Sequence, residues 1–271
     1  MPRHRRTRLV PLLTAAAILL PLAACDSSSD SAPAPPSRSR KPTATPPPRT
    51  GDQRFTLLWK GEQRHYTVHS PPGRTGADRL PLVIALHPYP SDGETMAAIS
   101  GLNTKADKEN FLVAYPDGLG HAFNALVCCG TEDDVGFLRT ITKKLTGDRG
   151  KADPRRVYVT GVSNGAEMAY RLAVELPGTF AAIAPVSGGY LGPDTEKPSY
   201  MPKTPVSVLT FIGGLDEHDD AMNAGITTWR KRLGCVPRDR RQHRNSIQEL
   251  RTDCRDGSEV VVYRLPKMGH A

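Results

Sequence analysis

Aromatic side chains are scarce in this chain: they make up 6% of 271 residues, and only two are Trp. Proteins that bind single-stranded nucleic acid stack bases on aromatic side chains placed among basic ones. The sequence contains no such basic and aromatic stripe, and it contains no separate aromatic-rich module for binding a polymer. We therefore expect no nucleic-acid partner, and any action on a polymer would rest on a single domain.

The folded part of the chain also has little net charge. The formal charge is +8, but the first 50 residues hold eight Lys or Arg and two Asp, which leaves only +2 for residues 51–271. The basic balance is thus a property of the N-terminal segment. It gives no reason to expect a nucleic-acid surface on the domain.

A transmembrane helix is not expected, because the apolar run at 9–22 is short and rich in Ala. It follows a start that contains four Arg and ends in the sequence LAAC at 22–25, as in a secretory leader. The LAAC sequence resembles the lipobox of bacterial lipoproteins, which makes Cys25 the lipidated first residue of the mature protein. Plain secretion with cleavage nearby is the alternative.

These patterns predict three segments. Residues 1–24 are a lipoprotein signal peptide, and residues 25–50 are a Ser/Pro-rich disordered tether with almost nothing apolar to bury. Residues 51–271 are one domain, since the chain is too short for a second large one. We expect an extracytoplasmic monomer that is anchored to the membrane through Cys25.

Cysteine is sparse, and its spacing excludes one class of site. The sequence has five Cys, with no Cys-x-x-Cys pair or His partner at ligand spacing, so a zinc site is not expected. Four Cys remain after Cys25, an even number in a chain that we expect to be exported. Cys235 and Cys254 bracket a short polar excursion and are candidates for a disulfide. Cys128 and Cys129 are adjacent, so they either form a vicinal bridge or leave one thiol free.

Short apolar strands alternate with helical patterns from residue 80 onward. An N-terminal strand pair is predicted around Lys60 and Gly61. Strands are predicted at 55–59, 65–69, 82–86, 111–115, 157–160, 181–186, 206–212 and 260–265. Apolar residues at helical spacing predict helices around 137–145 and 168–176. This alternation predicts an α/β fold of the α/β-hydrolase kind, doubly wound, with a mostly parallel sheet and helices on both faces.

The sequence GVSNG at 161–165 follows one predicted strand and precedes a predicted helix. Small residues two positions before and after Ser163 allow a sharp turn that exposes its hydroxyl, as in a nucleophile elbow. A Gly-rich turn can also be purely structural. The strand before it and the helix after it favour Ser163 as a nucleophile.

A serine nucleophile needs a base, and the base needs an acid to orient it. Asp216 follows the strand at 206–212 and His270 follows the final strand, which fits the chain order Ser, acid, His. Neighbouring loop residues are rivals for these two roles: Glu217, Asp219 and Asp220 for the acid, and His218 for the base. The backbone N–H groups of Asn164 and Tyr89 are the candidate oxyanion donors, because Pro88 has no N–H.

Several motifs together resemble the polyhydroxybutyrate depolymerase and feruloyl esterase group of secreted esterases. They are LVIALH at 82–87, YPDG at 115–118, Asn124 with CCG at 128–130, DDVGF at 133–137 and DPRRVYVTGVSNG at 153–165. The resemblance implies an ester hydrolase that uses Ser163, Asp216 and His270 without a metal or organic cofactor. It implies substrates such as feruloyl or acetyl esters of polysaccharides, or polyhydroxyalkanoate oligomers.

The resemblance also leaves a second hypothesis open. The family continues past its catalytic His through a Trp-Pro-Gly segment and a closing helix. This sequence, in contrast, stops at Ala271. The alternative is therefore a catalytically impaired binding lipoprotein on a hydrolase scaffold. A peptidase is a weaker third hypothesis, because peptidases on this fold usually carry a propeller or cap domain.

Overall fold

The computed structural model describes residues 51–72, 79–148 and 150–271. The predicted signal peptide, the predicted tether and Cys25 lie outside the described residues. None of the helices within the described ranges is long and apolar enough to cross a bilayer.

A single ten-stranded sheet forms the centre of the domain. Its strands are β1 (Gly51–Trp59), β2 (Glu62–Ser70), β3 (Leu80–Leu86), β4 (Leu112–Pro116), β5 (Ala152–Val162), β6 (Ala182–Val186), β7 (Ser207–Gly213), β8 (Val236–Gln242), β9 (Gln248–Asp253) and β10 (Glu259–Leu265). The strand order is β1-β2-β4-β3-β5-β6-β7-β10-β9-β8. The six strands from β4 to β10 in this order pair in parallel, and an antiparallel hairpin lies at each edge.

Helices connect the parallel strands and cover both faces of the sheet. They are α1 (Gly93–Ser100), α2 (Leu102–Glu109), α3 (Asp134–Thr146), α4 (Asn164–Glu175), α5 (Pro193–Glu196) and α6 (Asp219–Arg232), with short 3₁₀ turns at Leu119–His121 and Arg244–Ser246. Neighbouring residues of β3 point to opposite faces, as in any strand. Ile84 joins the larger apolar core, whereas Ala85 joins a smaller one with Met96 of α1 and Ala106 of α2. The predicted fold class is confirmed.

The structure contains elements that the apolar patterns did not predict. Helices α1 and α2 bury few residues, and their ends are set by local signals. The side chain of Asp92 caps α1 by accepting a hydrogen bond from the Thr95 amide at 2.8 Å, and Gly101 and Asn110 adopt left-handed backbone conformations at helix ends. The polar excursion after Cys235 is the β8–β9 hairpin, whose strand β8 is largely exposed.

A buried ion pair joins the N-terminal hairpin to the helical layer. Nη2 of Arg64 on β2 lies 2.5 Å from Oδ1 of Asp134, the first residue of α3, and the two side chains are 2% and 1% exposed. The other Asp134 oxygen accepts a hydrogen bond from the Asn124 amide at 2.7 Å. The Arg64 guanidinium also lies 4.0 Å from the centre of the Phe137 ring. Both charges are thus compensated in the interior.

Removing one member of this pair should destabilise the fold strongly. We expect Asp134→Asn to lower the free energy of unfolding by about 3 to 5 kcal/mol, because it leaves the Arg64 charge buried without a partner. Urea denaturation measures the change. Glu109→Ala breaks the exposed pair with Lys105, which is 3.1 Å long, and should cost no more than about 0.5 kcal/mol. Equal effects of the two substitutions would contradict the role assigned to the buried pair.

Candidate active site

Ser163 lies at a sharp turn between β5 and α4. Its backbone has φ 53° and ψ −118°, a conformation that residues with a side chain rarely adopt. The turn is held from both sides: the Ser163 amide donates to the Val186 carbonyl at 2.9 Å, and the Ser163 carbonyl accepts from the amides of Ala166 and Glu167. The predicted strand-to-helix turn is therefore present, with the helix beginning at Asn164, close to the predicted start near residue 166.

Two glycines make this turn sterically possible. A Cβ on Gly165 would collide with the backbone carbonyl oxygen of Leu86 at the end of β3. A Cβ on Gly161 would collide with the backbone of Gly165 itself. The glycines of GVSNG therefore let α4 start directly against the ends of β3 and β5, and this places Ser163 beyond the carboxyl ends of the parallel strands.

The structure brings Ser163, His270 and Asp216 together. Nε2 of His270 lies 2.9 Å from Oγ of Ser163, and Nδ1 of His270 lies 2.8 Å from Oδ2 of Asp216. The Asp216 side chain is fully buried, whereas the His270 side chain is 39% exposed. With Nδ1 protonated, His270 donates to Asp216 and accepts the hydroxyl proton of Ser163. This arrangement can activate a serine hydroxyl for attack on a carbonyl group.

Loops after β7 and β10 hold the acid and the base. The second oxygen of Asp216 accepts a hydrogen bond from the His218 amide at 2.9 Å. The segment that carries His270 is tied to the β7 loop by the bond from the Leu215 amide to the Met268 carbonyl, at 2.9 Å. Beyond His270, the Ala271 amide donates to the Ser187 hydroxyl at 3.2 Å. Hydrogen bonds thus hold the backbone on both sides of His270.

The rival acids and the rival base make other contacts. Asp219 and Asp220 are in the first turn of α6, and Asp219 pairs with Arg264 at 2.6 Å. Glu217 is exposed at the loop surface. The ring of His218 lies edge-on to that of His270, with 6.0 Å between their centres, and faces the same cavity. Of the carboxylates considered, it is Asp216 that lies within hydrogen-bond distance of His270.

Both residues proposed as oxyanion donors line the cavity that contains Ser163. Asn164 is the first residue of α4, and Tyr89 is half exposed and lines the same cavity. The loop of Tyr89 is anchored by buried His87, whose Nε2 accepts from the Gly118 amide at 2.9 Å. Burial lowers the pKa of His87, in keeping with this acceptor role.

The side chain of Asn164 has a role that its place in the elbow motif did not predict. Its Oδ1 accepts from the Phe123 amide at 2.9 Å, and its Nδ2 donates to the carbonyls of Phe123 and Cys128 at 3.0 and 3.1 Å. These three bonds fasten the loop at 123–129 to the start of α4. The residue after the nucleophile in an elbow is normally considered only for its backbone amide. The structural role of the Asn164 side chain is therefore visible only from its contacts with the distant loop at 123–129.

The four cysteines after Cys25 form two disulfides, Cys128–Cys129 and Cys235–Cys254. The vicinal bridge lines the cavity above Ser163, whereas the other closes the β8–β9 hairpin. The cavity has a volume of about 210 Å³. That is less than the roughly 300–1,000 Å³ of sites that enclose drug-sized ligands, so only part of a large substrate could be held there.

One acidic residue, Glu167, lines the cavity although none of the sequence motifs indicated it. Glu167 is one helical turn after Ser163, and this i,i+4 spacing is the sequence signal that could have indicated it. Burial raises the pKa of the Glu167 carboxyl to about 7, although the Val127 amide, which bonds to it, and the nearby His270 act in the opposite direction. His218 lines the same cavity.

The raised pKa of Glu167 makes stability depend on pH. The ordinary pKa of this carboxyl is 4.5, so between pH 4.5 and 7 the folded protein binds a proton that the unfolded chain has lost. Its free energy of unfolding therefore falls as pH rises through this window, by a total of about 3 kcal/mol. We expect Glu167→Gln to remove this loss.

Denaturant midpoints of both proteins between pH 4.5 and 8 measure the effect. The stability of Glu167→Gln relative to the parent should increase with pH and level off above pH 7. Glu94→Gln, at an exposed first-turn position of α1, is the matched control and should show no such trend. A difference between Glu167→Gln and the parent that is constant with pH would contradict the raised pKa.

The fold and the Ser–His–Asp geometry define the class of the protein as an α/β-hydrolase. The family model described as Esterase PHB depolymerase matches residues 64–202, and the chain belongs to this family. The match covers the β2–β6 region with the elbow but ends before Asp216 and His270.

Individual relatives and solved structures agree with this class. The chain is 32% identical over 224 residues to "Putative esterase NocK" of Nocardia uniformis subsp. tsuyamanensis, an alignment that covers 74% of this chain and 62% of that protein. It is 26% identical to Feruloyl esterase B of Piromyces equi over 77% of this chain and 42% of that protein. This chain thus spans less than two thirds of the length of either relative.

A solved structure of an acetyl xylan esterase from Aspergillus awamori has the same fold, with a TM-score of 0.61. The sequences are 17% identical, and the superposition covers 80% of this chain and 94% of the other. At this level of identity the likeness concerns the fold.

Proposed function

We propose that this chain is a serine carboxylic-ester hydrolase of the polyhydroxybutyrate depolymerase and feruloyl esterase type, acting through an acyl-enzyme on Ser163. The observation that carries the proposal is the continuous set of hydrogen bonds from Ser163 through His270 to the buried Asp216. It is supported by the strained backbone of Ser163 and by membership of an esterase family.

In the acylation step, Oγ of Ser163 attacks the ester carbonyl carbon while Nε2 of His270 takes the hydroxyl proton. The carbonyl oxygen becomes an oxyanion, which accepts hydrogen bonds from the backbone amides of Asn164 and Tyr89. The ester C–O bond then breaks, and the leaving alkoxide takes the proton from His270. Asp216 stabilises the imidazolium that exists between these two proton transfers.

In the deacylation step, a water molecule takes the place of the alcohol. Nε2 of His270 removes a proton from the water as its oxygen attacks the acyl carbon, and the same proton returns to Oγ of Ser163 when the acyl–enzyme bond breaks. The products are the free acid and the regenerated serine. Atoms and protons balance without a metal ion or an organic cofactor.

Replacing the nucleophile should abolish hydrolysis. We expect Ser163→Ala to lower kcat/KM for p-nitrophenyl butyrate by about 10⁴-fold or more, and Asp216→Asn to lower it by about 10⁴-fold, because the imidazole loses its orienting acceptor. Release of p-nitrophenol by the purified protein measures both effects.

Ser199→Ala is the control, because this serine is exposed and lies outside the cavity. It should retain the parent rate. If the folded parent protein and Ser163→Ala gave equal, negligible rates, the esterase proposal would be wrong, and the binding-lipoprotein hypothesis would replace it.

The acyl group is proposed from the family and from the size of the cavity. Feruloyl or acetyl esters of polysaccharides and polyhydroxyalkanoate oligomers are the proposed classes, in keeping with a family and a relative named for such substrates. A cavity of about 210 Å³ favours esters whose bulk lies outside it. Relative kcat/KM values for p-nitrophenyl acetate, p-nitrophenyl butyrate and methyl ferulate distinguish the classes.

We also propose that the chain is exported and anchored through Cys25, on the strength of the LAAC sequence at 22–25 and the basic, apolar leader before it. In cells fed labelled palmitate, Cys25→Ser should abolish incorporation of label and release the protein from the membrane fraction. Label retained on Cys25→Ser would contradict the anchor. A labelled band from a known lipoprotein of the same cells serves as the internal control.

A further inference from the structure

A second cavity adjoins the candidate active site. It has a volume of about 410 Å³ and is lined by residues of α5 and α6, among them Pro193, Ala224 and Gly225. The half-buried residue Leu191 lines this cavity and also the one that contains Ser163. Leu191 therefore lies at the boundary between the two spaces.

The side chain of Leu191 packs between a glycine of its own loop and helix α6. A Cβ on Gly189 would lie 3.1 Å from Cγ of Leu191 and 3.2 Å from Cα of Met222. A Cβ on Gly225, one turn along α6 from Met222, would lie 3.3 Å from Cδ2 of Leu191. Met222 lines the active-site cavity and Gly225 lines the second one. Leu191 thus closes the gap between them by direct packing against the helix.

The backbone on both sides of Leu191 is held by close packing. Tyr190 is 1% exposed, and its ring lies edge-on to that of Trp229, with 5.1 Å between their centres. Gly192 has φ 96°, and a Cβ at this position would collide with the carbonyl oxygen of Leu126. Leu191 is therefore a fixed wall between the cavities, held from two directions.

The lining of the second cavity suits an apolar chain. Ala221, Ala224 and Gly225 line it along α6. Arg232 also lines it, but its guanidinium donates to the carbonyls of Thr195 and Glu196, at 2.8 and 3.2 Å. An unbranched hydrocarbon chain buries its CH₂ groups against such a wall and leaves no polar group of its own unpaired.

We propose that Leu191 determines chain-length specificity, because its side chain closes the active-site cavity toward the second cavity. An ester bound at Ser163 then has room only for a short chain on this side. Without the Leu191 side chain the two cavities join, and a longer apolar chain extends from Ser163 along α6. The inference rests on the proposed esterase function and deepens it. The chain can belong to the acyl part or to the alcohol part of the ester.

Matched ester pairs test the proposal and distinguish these two parts. The acyl arm compares p-nitrophenyl octanoate with p-nitrophenyl butyrate, and the alcohol arm compares hexyl acetate with ethyl acetate. In one arm we expect the parent protein to have the higher kcat/KM for the shorter ester. In Leu191→Ala the ratio of longer to shorter should rise in that arm by about tenfold or more, because each CH₂ group buried in an apolar site adds about fourfold.

Two further variants separate a joined cavity from a loosened loop. Leu191→Ala combined with Ala224→Phe fills the second cavity with a ring at an exposed position of α6, so the gain for the longer ester should disappear. Leu58→Ala removes a leucine that is 69% exposed on β1 and should leave both ratios unchanged. Ratios in Leu191→Ala equal to those of the parent in both arms, or a gain that survives Ala224→Phe, would overturn the proposal.

A binding measurement keeps this test separate from that of the esterase function. Ethyl octanoate and ethyl butyrate, and hexyl and ethyl acetate, are titrated calorimetrically into Ser163→Ala and into Ser163→Ala combined with Leu191→Ala. Neither protein needs to turn the ester over. In one pair, the affinity for the longer ester relative to the shorter should be about tenfold higher in the second protein. The absence of such a gain in both pairs would overturn the proposal, whatever the parent's hydrolytic rate.

Discussion

The contact between Gly165 and the end of β3 is the constraint on which the candidate site depends. Only a residue without Cβ allows the start of α4 to meet the Leu86 carbonyl oxygen. That approach forces Ser163 into its strained backbone conformation, and the bond from its amide to Val186 on β6 holds it there. Such strain persists only where the surrounding structure over-determines it, and here three neighbouring parallel strands and one helix do so.

A chain of polar contacts extends from this turn to the edge of the domain. Asn164 fastens the loop at 123–129, and the next amide in that loop, from Asn124, bonds to Asp134. Asp134 in turn is paired with Arg64 on β2. The buried ion pair and the candidate site therefore share one loop, whose vicinal disulfide forms part of the cavity wall. Buried polar groups linked in this way specify one arrangement, because each depends on its neighbour for satisfaction.

The sequence predicted those parts of the fold in which local pattern and burial agree. The strands from β3 to β7 and β10 are apolar because both faces are covered, and the elbow glycines mark their own turn. Helix α6 was missed although Met222, Ile226 and Trp229 recur at helical spacing, because the acidic residues at its start suggested a solvated loop. Strand β8 could not be predicted in this way, since its exposed, Arg-rich sequence has no apolar alternation.

The candidate acid and base could be predicted because the chain order Ser, acid, His and the ends of the strands indicate where such residues lie. Asp216 and His270 follow β7 and β10, and the structure brings them within hydrogen-bond distance of one another. The sequence pattern could not predict which residues each side chain contacts across the fold. The loop that the Asn164 side chain holds is one example. Such contacts join residues about 40 positions apart, and no local periodicity encodes them.

The carboxyl groups of Asp216 and Glu167 differ in their hydrogen-bond partners, and this difference separates their roles. One oxygen of Asp216 meets His270 and the other accepts from the His218 amide, so the protein uses both. Oε2 of Glu167 is buried and has no hydrogen-bond partner among the described residues, and Glu167 lines the same cavity as His270. A carboxylate whose oxygens both accept hydrogen bonds is fixed in orientation and can orient a base, whereas burial without such bonds favours the uncharged form of a carboxyl. The environment of each group, rather than its residue type, therefore separates Asp216, which orients the imidazole, from Glu167, whose pKa is raised by burial.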